Sequence, residues 1–414
     1  MKVKTKPEKK IFENTYNSLE NWIENNGMKG YDVCDINAEP FFLLLSNFKE
    51  KVKFGRYIYA PFYLLQRNHA TSLRKLLRVK KNIFPQAIGL IARAYMSNYS
   101  TTKNINSLKQ ALNLLNWLEQ NKSEGYSKMC WGQPYNWSSR KIIPKNTPRA
   151  TVTSIITNSF LDAYELTKKE KYLVIAKSSC DFFINDLNLE EDNDGDICFS
   201  YTSNDTFTVH NANMVTAATL IRTWKHCRKY EYKNLAIKAL NFTTKYQNKD
   251  GSWYYWAPPE KIIGKIDNYH TGFILEAMEI IKKIINDDFK YDDKLELGIK
   301  YYVNNFFNNK EIPKMYPSNI YPIDIQSCAQ SIITFLELSV RCPHLKRNAI
   351  NIALWTIKNM FNSNGYFYYR FYENGKIDKT PYIRWSESWM LRALSFLILT
   401  LDQNDVICNK NHKM

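Results

Sequence analysis

No stretch of this 414-residue chain reaches the roughly 18 consecutive apolar residues that a membrane-crossing helix needs. The N-terminus, Met1-Lys-Val-Lys-Thr-Lys-Pro-Glu-Lys-Lys10, is basic, but the apolar core of a secretory signal does not follow it. No membrane span and a cytoplasmic location are therefore expected. The eight cysteines (34, 130, 180, 198, 227, 328, 342 and 408) form no CxxC pair and no short regular spacing. That argues against a disulfide framework and against a cysteine-based zinc site, and leaves buried, reduced thiols as the expectation. Acid is the scarcer charge, 40 Asp and Glu against 57 Lys and Arg, for a formal net charge of +17. No nucleic-acid-binding motif accompanies the excess, so no nucleic-acid partner is expected. Much of the excess is lysine scattered over helical surfaces. The densest cluster, Arg74-Lys75-Leu-Leu-Arg78-Val-Lys80-Lys81, would suit an acidic polymer.

What the chain does have is a recurring three-part unit. Its clearest copy is Gln247-Asn-Lys-Asp-Gly251-Ser-Trp253-Tyr-Tyr-Trp256, followed by Ile266-Asp267-Asn268-Tyr269-His270-Thr271-Gly272-Phe273. It reads as a helix end, a glycine-turned aromatic strand, and a new helix with a polar opening. Residues 9–26 form an amphipathic helix with Ile11, Tyr16, Leu19, Trp22 and Ile23 on one face. Residues 30–82 read as an irregular acidic and basic segment with short helices near Phe62–Leu65 and Leu73–Leu77. From residue 83 to 402, small-residue helices alternate with more charged ones.

Helix openings at Arg149, His210, His270, Asp324 and Arg384 are separated by 61, 60, 54 and 60 residues. Such a period fits a two-helix unit plus a hairpin, stacked as an array. Six small-residue helices face five charged ones, and the N-terminal helix within residues 1–29 supplies the sixth partner. The expected fold is an all-α, single-domain (α/α)6 toroid spanning residues 1–414, with aromatic hairpins on one face and a tail at 403–414. The helix Met390–Leu401 is apolar nearly all round, which favours ring closure over an open solenoid with polar ends.

In a closed ring every inner helix begins on the same face, so the polar residues at these starts converge. They are Arg149; His210, Asn211 and Asn213; Asp267, Asn268, Tyr269 and His270; Asp324 and Gln326; and Tyr382, Arg384, Trp385 and Glu387. Asp32 and Asp35 join them from the preceding loop. Helix N-termini add free N–H groups that favour negative charge. Asp267 and Asp324 also fit as plain N-caps, and His210 and His270 as core residues. No third ligand at recognisable spacing accompanies the histidines, so no metal or other cofactor is expected. The Asp192-Asn-Asp194-Gly-Asp196 run departs from a calcium loop in its spacing and terminal residue. Aromatic rings near the same face, Trp256 among them, supply flat amphipathic surfaces of the kind that grip sugars.

Gln247-Asn-Lys-Asp-Gly251-Ser-Trp253 resembles the Q-x-x-x-G-x-W repeat core of squalene-type triterpene cyclases, which are α-toroids. The chain lacks the Asp-x-Asp-Asp proton donor of that cyclisation and a prenyltransferase-like zinc triad. Longer matches resemble bacterial and archaeal toroid proteins of surface-polysaccharide biosynthesis. They are Gly30-Tyr-Asp-Val-Cys-Asp35, His210-Asn-Ala-Asn-Met214, Asp250–Tyr255, Ile266–Phe273, Tyr321–Gln330 and Tyr382-Ile-Arg-Trp385. The chain departs from that pattern at Val33-Cys34 and Ser386-Glu387. The resemblance implies fold relatives among six-hairpin glycosidases, polysaccharide lyases and glucuronyl epimerases.

The expected partner is a glycan, or a nucleotide- or lipid-linked sugar, together with polysaccharide-assembly proteins. In an epimerase, lyase or hydrolase, Asp267 or Asp324 would be the general acid or base and His270 a proton shuttle. Arg149 and Arg384 would hold a carboxylate or phosphate, and Tyr269 and Tyr382 would donate protons or stack. His210, Asn211, Asn213, Trp256, Trp385, Asp32 and Asp35 would complete the binding surface. A non-catalytic glycan-binding or scaffold protein and a terpenoid-cyclase-like enzyme remain the alternatives.

Overall fold

Alanine, serine and threonine on facing helices permit close approach, and in the computed structural model six such helices form the wall of a closed barrel. The structure describes residues 6–138, 141–260, 264–309 and 311–411. The basic stretch at 1–5 and the end of the tail at 412–414 lie outside the described residues. The chain opens with α1 (Lys6–Asn25), α2 (Pro40–Lys51), α3 (Gly55–Asn68) and α4 (Ala70–Leu76). Inner and outer helices then alternate as α5 (Pro85–Thr102), α6 (Ile105–Gln120), α7 (Ala150–Thr167), α8 (Glu170–Asn185), α9 (His210–Cys227) and α10 (Tyr230–Lys245). They continue as α11 (Asn268–Ile285), α12 (Asp292–Asn305), α13 (Ile325–Leu338), α14 (Leu345–Met360) and α15 (Ser388–Asn411), the last preceded by a π-helical turn at Ile383–Glu387.

Each odd-numbered helix from α5 to α15 packs on the next, and α15 returns to α5, so the inner ring is closed. In α13 every residue except Glu337 is buried, as an inner position demands. The helix α1 lies against α14 and α15 and completes the outer layer. Salt bridges Lys9–Asp402 (2.7 Å) and Arg347–Glu8 (3.0 Å) and the bond from Tyr95 Oη to Glu24 (2.9 Å) fix it there. Its buried stripe is Phe12, Tyr16, Leu19 and Ile23; Ile11, expected on that face, is exposed instead. Residues 30–82 are not irregular: α2, α3 and α4 occupy most of them, where alternating apolar and basic residues obscured the helical period.

Local chemistry sets the repeat. Helices α5, α7 and α9 end on Lys103, Lys168 and Arg228 in the left-handed conformation (φ 57–58°), whose N–H groups donate to Tyr99, Tyr164 and Trp224. In each case the cation lies over that same ring, at 5.8, 5.8 and 4.7 Å. Short antiparallel hairpins carry the chain from outer to inner helices: β1 (Trp137–Ser138) with β2 (Ile142–Ile143), β3 (Leu189–Glu191) with β4 (Ile197–Phe199), and β5 (Phe307–Asn308) with β6 (Ile312–Pro313). A three-stranded sheet joins β7 (Ile323–Asp324), β8 (Arg370–Phe371) and β9 (Ile377–Asp378).

The run Ser252–Trp256, expected as a strand, makes only a single bridge, from Trp256 to Val209. Trp253 turns inward and donates through Nε1 to Thr243 O at 2.9 Å, satisfying a carbonyl at the end of α10. Trp131 does the same for Leu118 O of α6, also at 2.9 Å. Gln247 bridges Gly251 O and Lys294 O, tying this turn to α12.

Gly251 has φ +95°, and a Cβ there would collide with the carbonyl of Leu297 in α12. Gly365 (φ +89°) approaches Ser18 O of α1 in the same way, at 2.8 Å from an added Cβ. Gly125 has a similar φ, +81°, but open space around it. Gly251→Ala is therefore expected to lower Tm by several degrees more than Gly125→Ala, which carries the backbone strain without the collision. Equal shifts in thermal unfolding would refute this account of the turn.

Candidate functional site

The residues preceding the first turn of the six inner helices are Phe84, Arg149, Val209, Asp267, Asp324 and Tyr382. Two positions further on stand Gln86, Thr151, Asn211, Tyr269, Gln326 and Arg384, and all six line one cavity of about 90 Å³. The third position adds Val152, His270 and Trp385, and one turn deeper Ile155, Val215 and Phe273 form an apolar floor. Helical geometry explains the selection, because positions two, three and six share one face. Positions one and four face the outer layer. Asn213, at position four, donates to Ile197 O, Ala239 O and Thr243 and accepts from Phe199 N, which ties α9 to β4 and α10.

His270 is the titratable group best placed on the cavity. Its Nδ1 lies 2.7 Å from Asp267 Oδ2, while Asp267 Oδ1 accepts the His270 backbone N–H at 3.0 Å and caps α11. Asp267, 7% exposed, is placed to accept a hydrogen bond from Nδ1–H, and in that tautomer the ring's second nitrogen, Nε2, is the one left for a ligand. The ring is wedged between Tyr269 at 4.3 Å and Tyr255 at 4.6 Å. Burial, followed by the nearby Asp267 charge, raises the Tyr269 phenol well above its usual range. The phenol is therefore a neutral donor. Trp385 meets Tyr269 edge-on at 5.7 Å.

The cavity rim also carries a cation. The guanidinium of Arg149 lies 4.7 Å from the Trp137 ring and 5.5 Å from that of Tyr135, and its buried Nε has no hydrogen-bond partner. Among the described residues Arg149 forms no salt bridge. Asn211 Oδ1 and Gln326 Oε1 are likewise buried without partners. Unsatisfied buried polar atoms are costly, so these three have hydrogen-bonding capacity to offer whatever enters the cavity.

Other expected site residues are placed elsewhere. Arg384 lines the cavity but is engaged with Asp32 through Nε (2.5 Å) and Nη2 (2.9 Å). Burial alone would raise the Asp32 carboxyl; the Arg384 charge holds it below its ordinary value. Asp35 pairs with Arg74 at 2.6 Å, and Arg74 also donates to Asp32 O. These two carboxylates thus fasten the 30–39 loop to α4 and to the π-helical turn before α15, and neither lines the cavity.

Asp324 is fully buried and accepts from Gln326 N (2.9 Å), Arg370 Nε (2.6 Å) and Trp385 Nε1 (3.0 Å). With its oxygens occupied, it orients Trp385 and has no open face for proton transfer. Tyr382 borders a separate cavity with Arg74 and Arg370. Trp256 packs edge-on against Phe207 and Tyr255, outside the cavity lining. His210 sits among Phe242 and Tyr246. Gln86 and Thr151 were missed by sequence reasoning, and aligning the six helix starts by their caps would have found both; Tyr201, one of the aromatic residues expected beside this face, also lines the cavity.

A larger cavity, about 520 Å³, opens at the opposite end of the barrel, where the inner helices finish. Its charges mostly neutralise one another: Arg93–Asp162 at 2.7 Å, Arg222–Asp162 at 2.9 Å, Arg222–Glu165 at 3.0 Å and Lys283–Glu337 at 2.6 Å. That contrasts with the unpartnered groups at the smaller cavity. Among the described residues no group of three His, Cys, Asp or Glu side chains is arranged to hold a metal ion, and no helix is long and apolar enough to cross a membrane.

No family model and no curated protein sequence matches the chain. Solved structures do match in fold. A cellobiose 2-epimerase from Bacillus thermoamylovorans superposes with a TM-score of 0.62 at 10% identity, covering 79% of this chain and 90% of its own. A GH76 alpha-mannanase from Bacteroides thetaiotaomicron gives 0.59 at 14%, covering 80% and 89%. An unsaturated glucuronyl hydrolase specific for heparin gives 0.55 at 14%, covering 77% and 87%. At such identities the likeness establishes the α/α toroid fold.

Burial depresses the pKa of His210 from 6.5 to about 3. The unfolded chain then takes up a proton at this residue as pH falls below 6.5, while the folded chain resists until about 3, so this residue's contribution to stability declines across that window. His210→Phe, which suits the aromatic surroundings, should flatten that part of the decline in urea-unfolding free energy. Parallel curves for the two proteins would contradict a buried, neutral His210.

Proposed function

We propose that the protein moves a proton at a carbon of an anionic sugar unit, as an epimerase or lyase does, during the assembly of an extracellular polysaccharide. The observation that carries this reading is the Asp267–His270 dyad, whose histidine lines a cavity also lined by Arg149, a cation with an unpartnered Nε. Arg149 and the N–H groups at the inner-helix starts would bind a sugar carboxylate, and that charge neutralisation acidifies the adjoining C–H. His270 Nε2 would take the proton, and Asp267 would stabilise the resulting imidazolium. Electron density released by the C–H bond passes onto the carboxylate oxygens held by Arg149.

Two outcomes follow from that intermediate. Return of a proton from solvent to the opposite face gives the epimer, and the imidazolium releases its proton to solvent. Departure of the neighbouring glycosidic oxygen as an alcohol, protonated from the Tyr269 phenol on the same side as His270, gives the unsaturated sugar, and the imidazolium proton then restores the phenol. Trp385 and Tyr269 offer ring surfaces for the sugar face. Hydrolysis fits less well, because it usually employs two carboxylates flanking the bond and no Asp or Glu lines this cavity. The polysaccharide setting rests on the sequence resemblance. The sugar-acting names of the fold neighbours, an epimerase among them, support the substrate class.

The test is deuterium incorporation from heavy water into uronate-containing glycans and nucleotide-linked uronates, read by NMR. His270→Ala is expected to slow exchange by roughly 100- to 10,000-fold, and Asp267→Asn by less, since it misorients the ring without removing it. Arg149→Met should chiefly raise KM. Glycan binding without exchange in the native protein would favour the scaffold reading. Exchange unaffected by His270→Ala would rule out the proton-transfer assignment.

A further inference from the structure

The helix α3 is turned the wrong way round for a protein surrounded by water. Its Tyr59, Phe62 and Gln66 face the barrel, where Tyr59 Oη and Gln66 Nε2 bond Asn37 at 3.2 and 3.0 Å. The opposite stripe, at helical spacing, is Tyr57, Ile58, Pro61, Leu64 and Leu65, and every member is exposed. Tyr57 is 63% exposed and Ile58 50%. The preceding helix repeats the pattern, with Phe41, Leu44 and Phe48 exposed along one side of α2 and Phe54 exposed at the turn between the two. An apolar stripe of this extent on a helical hairpin is unfavourable in water unless something covers it.

The charge around the stripe says what covers it. Residues 41–81 carry ten Lys and Arg against the single acid Glu50, so about half of the net charge of +17 lies in this tenth of the chain. Lys53, Arg56, Lys75, Arg78, Lys80 and Lys81 are exposed. A second copy of the chain would bring two such fields together and repel. A nucleic acid would satisfy the cations but leave Ile58, Leu64 and Leu65 against a polar backbone. A phospholipid surface of negative charge satisfies both, with cations at the headgroups and aromatic and aliphatic side chains at the acyl boundary.

We propose that the α2–α3 hairpin, with the basic segment of α4 and the residues after it, docks the protein onto the surface of an anionic phospholipid bilayer. The docking is peripheral, since no described helix is long and apolar enough to span. The inward side of α3 borders the cavity shared by Tyr369, Arg370 and Tyr382. Arg370 in turn holds Asp324, which orients Trp385. The docking element therefore lies at the end of the barrel that bears the Asp267–His270 dyad, although it does not depend on the chemistry proposed there.

Flotation of the full chain with vesicles tests this. Binding is expected to equimolar phosphatidylcholine and phosphatidylglycerol, to be weakened by salt, and to be absent with phosphatidylcholine alone. Lys53→Ala with Arg56→Ala should weaken partitioning about 30-fold, and Ile58→Asp with Leu65→Asp should abolish it. All four side chains are exposed, so both variants should keep the native circular dichroism and Tm. The proposal is overturned if the native protein ignores anionic vesicles or if neither pair changes its binding. A dimer in sedimentation that Ile58→Asp with Leu65→Asp dissociates would assign the stripe to a second copy instead. Duplex binding lost in Lys53→Ala with Arg56→Ala, with no vesicle binding, would assign the charge to nucleic acid.

Discussion

Closure of the inner ring is the constraint on which the other features rest. An inner helix such as α13 is buried nearly all round and needs neighbours on both sides. An open array would leave one face of the first and last helices in water. Packing α15 on α5 removes both faces at once, and α1 then covers the seam from outside. The same closure puts six helix starts on a single circle. No pair of these starts is close in sequence, and only the ring makes them neighbours.

From that circle follows the separation between residues that build and residues that face a ligand. Position four past each helix start looks outward, where Asn213 holds β4 and α10 and Thr153 bonds the Trp131 backbone. Positions two and three look inward, where Tyr269 and His270 meet Gln326, Trp385 and Arg149. Charges that belong to the frame are consumed within it: Asp32 by Arg384, Asp35 by Arg74, Asp324 by Arg370. Breaking any of these buried pairs would strand a charge in low dielectric, so they fix geometry rather than offer reactivity. At the cavity, the described residues leave the His270 ring, the Arg149 guanidinium and the amide oxygens of Asn211 and Gln326 to face a ligand.

One end of the toroid thus combines a small polar cavity with an outward-facing apolar and basic hairpin. The other end holds a larger cavity whose acids and bases largely neutralise each other. A narrow cavity of about 50 Å³ lies between them along the barrel axis. It shares Phe273 with one end and Glu276 and Arg392 with the other. Within the inner ring the asymmetry has a simple origin, since the N-termini of all six inner helices gather at one end and their C-termini at the other.

The amino-acid sequence determined the repeat, the number of hairpins and the roles of Gly251 and Trp253, because these depend on local periodicity and turn chemistry that neighbours in the chain already express. It also pointed to Asp267 and His270, whose spacing of three suffices for a capping carboxylate to reach the ring. In residues 30–82 it showed only short helices within α3 and at α4, and did not reveal α2 or the full length of α3, where apolar residues face outward and the usual pattern of burial is reversed. Nor did it separate Asp324 from Asp267, two aspartates at matching helix starts. Only the tertiary structure decided that Arg370 and Trp385 occupy one of them while the other holds a histidine at the cavity, since those partners come from strands and turns 46 and 61 residues away. Which face of each inner helix sees the axis is likewise a property of the closed ring.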